Sequence, residues 1–326
     1  MHETEILIVG AGIVGLTIAR ELLQHGADRI TIIEKEPELG LHASGRNSGV
    51  LHAGIYYPPE TLKAKLCLKG NLMMQAYCQQ HGLPLINSGK VIVARTEDEL
   101  PTLKQLYHRA KENGVKVDLI DENELAKIEP YARTVRHALY SHHTALIDNK
   151  AILAALKNEL LQSGRVTIQF NTCMQGLDGE FTALTSTGAI RFRQFVNAAG
   201  AHADKIAYHF DVGREYYFIP FKGIYHKLIA EKSHLVNGNI YPVPNLENPF
   251  LGVHFTKSIH GDVYVGPTAI PAFGRENYGL LKGVDSEAVN ILLHEAKLFF
   301  TNAQFRRVAL TEPRKYLSSY FFRDAK

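Results

Sequence analysis

Ile6-Leu7-Ile8-Val9 is wholly apolar, the pattern of a short strand buried on both faces. Gly10-Ala11-Gly12-Ile13-Val14-Gly15 follows, and then Leu16, Ala19, Leu22 and Leu23 recur at helical spacing up to Gly26, a residue suited to ending a helix. A second apolar run, Ile30-Thr31-Ile32-Ile33, stops at Glu34. Later in the chain the pattern predicts a helix from Ile152 to Leu161, a strand over Val166–Phe170 and a buried strand over Phe195–Asn197 that runs into Ala198-Ala199-Gly200. Between and after these lie short alternating runs, such as Lys90–Ala94 and Val263–Gly266, which suit an antiparallel sheet. The predicted fold class is α/β (α+β), with a Rossmann-like βαβ unit at the start of the chain and an antiparallel sheet built from the alternating runs.

Strand, glycine turn, helix, strand and terminal carboxylate in that order predict a dinucleotide site. Gly10 permits the tight turn, Gly12 lets backbone N–H groups reach a pyrophosphate, and Gly15 lets helix and strand pack closely. The helix N-terminus faces the phosphate charge, and Glu34 stands where a carboxylate accepts ribose hydroxyls. An acidic residue at that position favours an unphosphorylated ribose, so FAD or NAD rather than NADP. The glycine motif alone does not choose between those two.

Composition narrows the remaining classes. The 326 residues leave room for two domains, and 45% hydrophobic against 21% charged residues excludes a disordered or fibrous chain. With 36 Lys+Arg against 33 Asp+Glu the net charge is +3, and no dense basic stripe is present, so nucleic acid is not an expected partner. Cys67, Cys78 and Cys173 form no C-x-x-C pair and no even disulfide framework, which suits a reducing compartment. Strand-like sequence begins by Ile6, and the apolar stretch between Glu5 and Arg20 is too short to span a bilayer. The expectation is a cytoplasmic chain, with peripheral contact to the inner face of the cell membrane left open.

The choice of cofactor comes from His42–Tyr57, a stretch dense in Gly, Ser, Asn and Arg that ends in an apolar run carrying His52 and paired tyrosines. The run Asn47-Ser48-Gly49-Val50-Leu51-His52-Ala53-Gly54 resembles the signature of the L-2-hydroxyglutarate oxidase/dehydrogenase family, a branch of the D-amino-acid-oxidase-like FAD oxidoreductases. The resemblance continues through Leu62–Lys65, Cys67, Gly70-Asn71, Gly89–Ala94, Phe221–Tyr225, Tyr241–Pro244, Phe250–Thr256 and Val265–Ala269. It implies a discontinuous FAD-binding domain (1–85 and 143–210), a substrate or roof domain (86–142 and 211–290) and a helical segment (291–326). It also implies a family chain that continues past Lys326 with further roof strands and a helix facing the flavin ring.

Non-covalent FAD is the implied cofactor. Its implied contacts come from Gly10, Gly12, Ile13, Val14, Gly15, Glu34, Lys35, Ser44, Arg46, Asn47, Ser48, Gly49, Val50, Met174, Ala199 and Gly200. The implied reaction is oxidation of a small 2-hydroxy acid, L-2-hydroxyglutarate, with oxygen or a quinone as the final electron acceptor. An alcohol donates hydride well only while its proton is leaving, so a general base is required, and histidine suits the task near neutral pH. His52 and His254 are the two candidates, with nothing in the sequence to rank them. Tyr56, Lys222, Tyr225, Tyr241 and Thr256 are the expected substrate-binding groups. His142-His143 has no third ligand at metal spacing, so no metal is expected. Two alternatives stay beside this reading: a shortened FAD-fold chain without turnover, and a related FAD-dependent amino-acid or hydroxyacid oxidase.

Overall fold

The computed structural model describes residues 2–246, 252–316 and 321, so Phe250-Leu251 of the family-like stretch and residues 322–326 lie outside the described part. The chain divides into two compact units. The first comprises Met1–Asn47, Asn149–Pro220 and Ala272–His294; the second comprises Ser48–Asp148, Phe221–Pro271 and Glu295–Lys326.

In the first unit the apolar runs form an all-parallel sheet in the order Val166–Gln169, Ile30–Ile33, Ile6–Val9, Gln194–Asn197. Helix Ile13–Gln24 connects its two central strands and ends where Gly26 takes a φ of +92°. That helix packs beside helix Asn149–Gln162, tied to it by Arg20 Nε donating to Glu159 at 2.7 Å. Leu7, Val9, Ile33, Met174, Phe192 and Ile206 form the core under the sheet. The 194–197 strand was expected to be buried, but it is the edge of its sheet, and Phe195 and Val196 are only half-buried.

The second unit is built on a seven-stranded sheet: His226–Lys227, Val263–Gly266, His254–Lys257, Asn239–Pro242, Lys90–Val93, His137–Ser141, Val117–Asp121. Neighbours are antiparallel except where 239–242 meets 90–93 in parallel, the seam at which two distant chain segments join. Side chains on a strand alternate between faces. Val91, Val93 and Ile240 therefore join the core under helix Glu122–Ile128, whereas Ile92 and Tyr241 face a second core with Leu103, Leu106 and Val117. Lys90, two residues before Ile92, falls on the Tyr241 face.

The units differ from the sequence-based boundaries at 48–85, 143–148, 211–220 and from 272 onward, and contacts account for two of these shifts. Helix Leu62–Gln80 groups with the seven-stranded sheet, because Asn71 Nδ2 lies 2.9–3.1 Å from the carbonyls of Leu51, His52 and His143. Residues 272–294 group with the parallel sheet through long-range ion pairs: Arg275 with Asp204 (Nη2 to Oδ2, 2.8 Å) and Glu276 with Lys35 (2.6 Å).

Candidate functional site

The glycine turn is shaped for close backbone approach. A Cβ on Gly10 would lie 2.3 Å from the Ala198 carbonyl oxygen, and one on Gly15 would lie 2.0 Å from the Gly10 carbonyl. Gly10 itself has a φ of +105°, a conformation that side chains disfavour. A Cβ on Gly12 would come within 2.9 Å of the Ser44 hydroxyl, which accepts the Ile13 N–H at 3.0 Å. The helix has no acidic residue in its first turn, and the N–H groups of Val14 and Gly15 have no intrahelical acceptor. Glu34 is half-buried, and its carboxylate accepts the N–H of Ala11 at 2.9 Å and of Glu36 at 3.0 Å, which fixes it beside the turn.

A glycine cradle that only backbone fits, a helix N-terminus free of acidic groups, and a carboxylate anchored beside them suit the pyrophosphate and ribose of a dinucleotide. Gly12, Ile13, Val14 and Ser44 would hold the pyrophosphate of FAD, and Glu34 its ribose.

Other expected cofactor residues take up varied positions. Asn47 Nδ2 donates to Ala43 and Ser44 carbonyls, holding the loop, while Gly49 gives its carbonyl to Ile147. Ser48 and Val50 are half-buried beside it. The Arg46 guanidinium sits 4.2 Å over the Tyr278 ring. Ala199 is half-buried and Gly200 exposed, while the Met174 side chain is buried in the core, leaving only its main chain for a ligand. Lys35 pairs with Glu36 and Glu276; burial works against its charge, but those two carboxylates outweigh it and raise its pKa. Glu36, His42 and Glu276 hold potential ligand atoms within 4.8 Å of one another, and the Lys35 ammonium already bonds both carboxylates. Of the histidine pair, His142 instead bonds Asp118 at 2.6 Å.

The second unit brings together most of the expected reaction residues. The segment bearing His52 and Tyr56 is pinned through its own carbonyls: Asn71 holds Leu51 and His52, Arg109 donates to Tyr56 at 2.8 Å, and Asn113 donates to Gly54 and Tyr57. From the sheet, Tyr241, His254 and Thr256 turn to meet it. The His254 ring stacks on Tyr241 at a centroid distance of 3.8 Å, and His52 meets the Tyr241 ring edge-on at 6.2 Å. His52 Nδ1 is buried without a hydrogen-bond partner, and the buried Thr256 hydroxyl lies beside the Tyr241 phenol without reaching hydrogen-bond geometry. Tyr225 is near this group but 41% exposed, whereas Lys222 pairs with Ile270 in a separate two-stranded ribbon.

Lys90, which is not among the substrate-binding groups expected from the sequence, joins this cluster. It is 2% exposed, its Nζ lies 3.3 Å from the Tyr56 hydroxyl, and it sits over the rings of Tyr56 and Tyr241 at 4.5 and 4.8 Å. Burial pushes Lys90 down to about 7. Burial and the nearby lysine charge push His52 down to about 3. Burial likewise lowers His254 to about 4, against the opposing effect of its hydrogen bond to Gly252. Both imidazoles are therefore neutral at neutral pH. Because His254 Nδ1 is 2.8 Å from the Gly252 carbonyl it carries the proton, and Nε2 keeps its lone pair.

The comparison with known proteins matches the "FAD dependent oxidoreductase" family model over residues 5–316. The chain belongs to this family of FAD-dependent oxidoreductases. FAD is the cofactor of this family. This oxidoreductase is 40% identical over 296 residues to "L-2-hydroxyglutarate dehydrogenase, mitochondrial" of Nematostella vectensis, covering 85% of this chain and 64% of that protein. The Homo sapiens protein of the same name is 36% identical over 317 residues, covering 92% and 68%. The chain thus spans about two thirds of the length of the curated relatives it matches. Among solved structures, the dithionite-reduced, FAD-bound L-α-glycerophosphate oxidase of Mycoplasma pneumoniae superposes with a TM-score of 0.73 at 26% identity, covering 90% of this chain and 79% of that one. Glycine oxidase of Geobacillus kaustophilus shares the fold, with a TM-score of 0.72 at 22% identity and coverage of 91% and 78%. Among the described residues no helix is long and apolar enough to cross a membrane.

Proposed function

We propose that the chain oxidises the 2-hydroxyl of L-2-hydroxyglutarate to give 2-oxoglutarate. FAD, when bound, supplies the hydride acceptor. What carries the reading is the convergence of two neutral imidazoles and two tyrosines on one buried face, in a chain similar over most of its length to proteins named L-2-hydroxyglutarate dehydrogenase.

The residues divide the work. His254 is the favoured proton acceptor, because its Nδ1 is committed to Gly252 and its Nε2 lone pair is free to take the hydroxyl proton. Stacking on Tyr241 holds the ring plane. His52, with a buried and unpartnered Nδ1, is the second candidate. The Tyr56 and Tyr241 phenols keep their protons, since burial raises both pKa values, and so they act as donors toward substrate oxygens. Three free cysteines suit the reducing compartment the sequence suggests. The curated relatives are named mitochondrial, and cytoplasmic location is an expectation of the sequence alone.

Substrate choice is tested by offering the FAD-loaded chain L-2-hydroxyglutarate, L-lactate and sarcosine separately and assaying the oxo-acid products. Formation of 2-oxoglutarate at a kcat/KM at least about a hundredfold above that for either alternative is expected, a margin within what one charged contact plus shape can supply. Preference for sarcosine would make the chain an amine oxidase instead. Oxygen uptake in the same assay separates oxygen from a quinone as acceptor.

A further inference from the structure

Lys90 is a buried lysine without an internal counterion, and burial disfavours its charged form. Among the described residues it forms no ion pair with any Asp or Glu, and the titratable groups near it are Cys67, His52, His254 and the tyrosines. None of these carries a negative charge at neutral pH: burial raises the Cys67 thiol and both tyrosine hydroxyls, and the imidazoles are neutral. Burying an ammonium in such surroundings opposes folding, and two aromatic faces with one hydrogen bond compensate only in part. An ammonium has three donors, of which the Tyr56 hydroxyl takes one. A lysine that served the fold alone would reach a carboxylate or extend its head to water. Lys90 does neither, and it lies beside the two imidazoles assigned to proton transfer.

We infer that Lys90, together with the Tyr56 hydroxyl, binds a carboxylate of the substrate and so selects an anionic 2-hydroxy acid over a neutral alcohol. The inference rests on the proposed function for the identity of the substrate, but the ligand chemistry it names is wider: a small carboxylate presented to a sealed ammonium. A carboxylate arriving there supplies the missing counterion. It accepts the two spare N–H donors in a site of low dielectric, where charge-assisted hydrogen bonds are strong. Arg109 donates to the Tyr56 carbonyl at 2.8 Å, which fixes the main chain from which the phenol reaches Lys90.

The test is calorimetric titration of the 326-residue chain and of its Lys90→Met variant with glutarate, with glutaramide as the uncharged control, alongside thermal unfolding without ligand. Methionine fills most of the lysine volume and removes the charge. The expected result is glutarate binding weakened at least tenfold in Lys90→Met, no glutaramide binding to the parent, and an unfolding temperature equal to or above the parent's. Equal glutarate affinity in parent and variant overturns the inference. So does a parent that binds no glutarate, or one that binds glutaramide as well. A variant that unfolds several degrees lower shows a structural role, and overturns it too. The two readings fail separately. A parent that binds glutarate through Lys90 but whose flavin is not reduced by L-2-hydroxyglutarate refutes the proposed reaction alone. Reduction with Lys90-independent glutarate binding refutes the carboxylate role alone.

Discussion

Gly12→Glu is expected to fold and to purify without flavin. A Cβ there comes within 2.9 Å of the Ser44 hydroxyl, a side chain that can turn aside, and the adjoining Ile13 N–H opens the helix end that would face the phosphates. A glutamate there brings negative charge to the place where a pyrophosphate must lie. The helix dipole itself favours an anion at its N-terminus, so the substitution displaces the ligand more than it harms the helix. Loss of FAD affinity by more than about a hundredfold follows from excluding the pyrophosphate from its donors. The ratio of flavin to protein absorbance reads the result, and thermal unfolding shows whether the fold survives. Normal flavin content in a folded Gly12→Glu chain would contradict the cradle.

The second large effect is on reduction of the flavin. His254→Asn should slow it by about a hundredfold to ten-thousandfold, the range over which a positioned general base contributes. Asparagine keeps much of the shape and a polar contact, so the loss reports on proton acceptance rather than on a hole in the core. His52→Ala should have the smaller effect, because no hydrogen bond fixes its ring for the task. Parent rates in both variants would remove histidine from the mechanism. Direction also follows for pH. With His254 held down to about 4 and His52 to about 3, the base-competent forms persist through the neutral range, and the rate should show no inflection from them near 6.5. The same lowering means that stability contributed by the neutral rings is complete above about 6.5 and is lost as pH falls toward those values.

The parallel-sheet unit was legible because its signals are local. An apolar run, a glycine turn, a 3.6-residue period and a closing glycine all sit within forty residues, and the structure places Gly10 and Gly15 in close backbone contact with Glu34 anchored beside the turn. The edge position of Gln194–Asn197 was missed, since an apolar run does not reveal where a sheet stops. The seven-stranded sheet is less legible. Its 90–93 and 239–242 strands pair in parallel across a long separation, and an alternating pattern does not encode which partner a strand will find.

Lys90 shows the cost of that. In the sequence it opens a strand of Val91, Ile92 and Val93, where lysine ordinarily runs out to solvent. Only the parallel register with Tyr241 and the fixed Tyr56 loop convert it into a sealed cation. The converse holds for Lys222, whose family-like segment attracted attention but which pairs in the separate ribbon with Ile270. Lys35 was expected at the cofactor and is engaged by Glu36 and Glu276, a charge cluster assembled from segments about 240 residues apart in sequence that no local pattern announces. His52 and His254 come together at the Tyr241 ring, but the sequence offers no ranking of them, because the proposed order rests on one backbone carbonyl, that of Gly252.

The central claim is that this chain carries FAD and uses it on a 2-hydroxydicarboxylate. The most direct measurement is the visible spectrum of the 326-residue chain after loading with FAD and removal of the excess, recorded before and after anaerobic addition of L-2-hydroxyglutarate. The account predicts a retained flavin band that bleaches on addition. A colourless chain, or a bound flavin that stays oxidised, would contradict it.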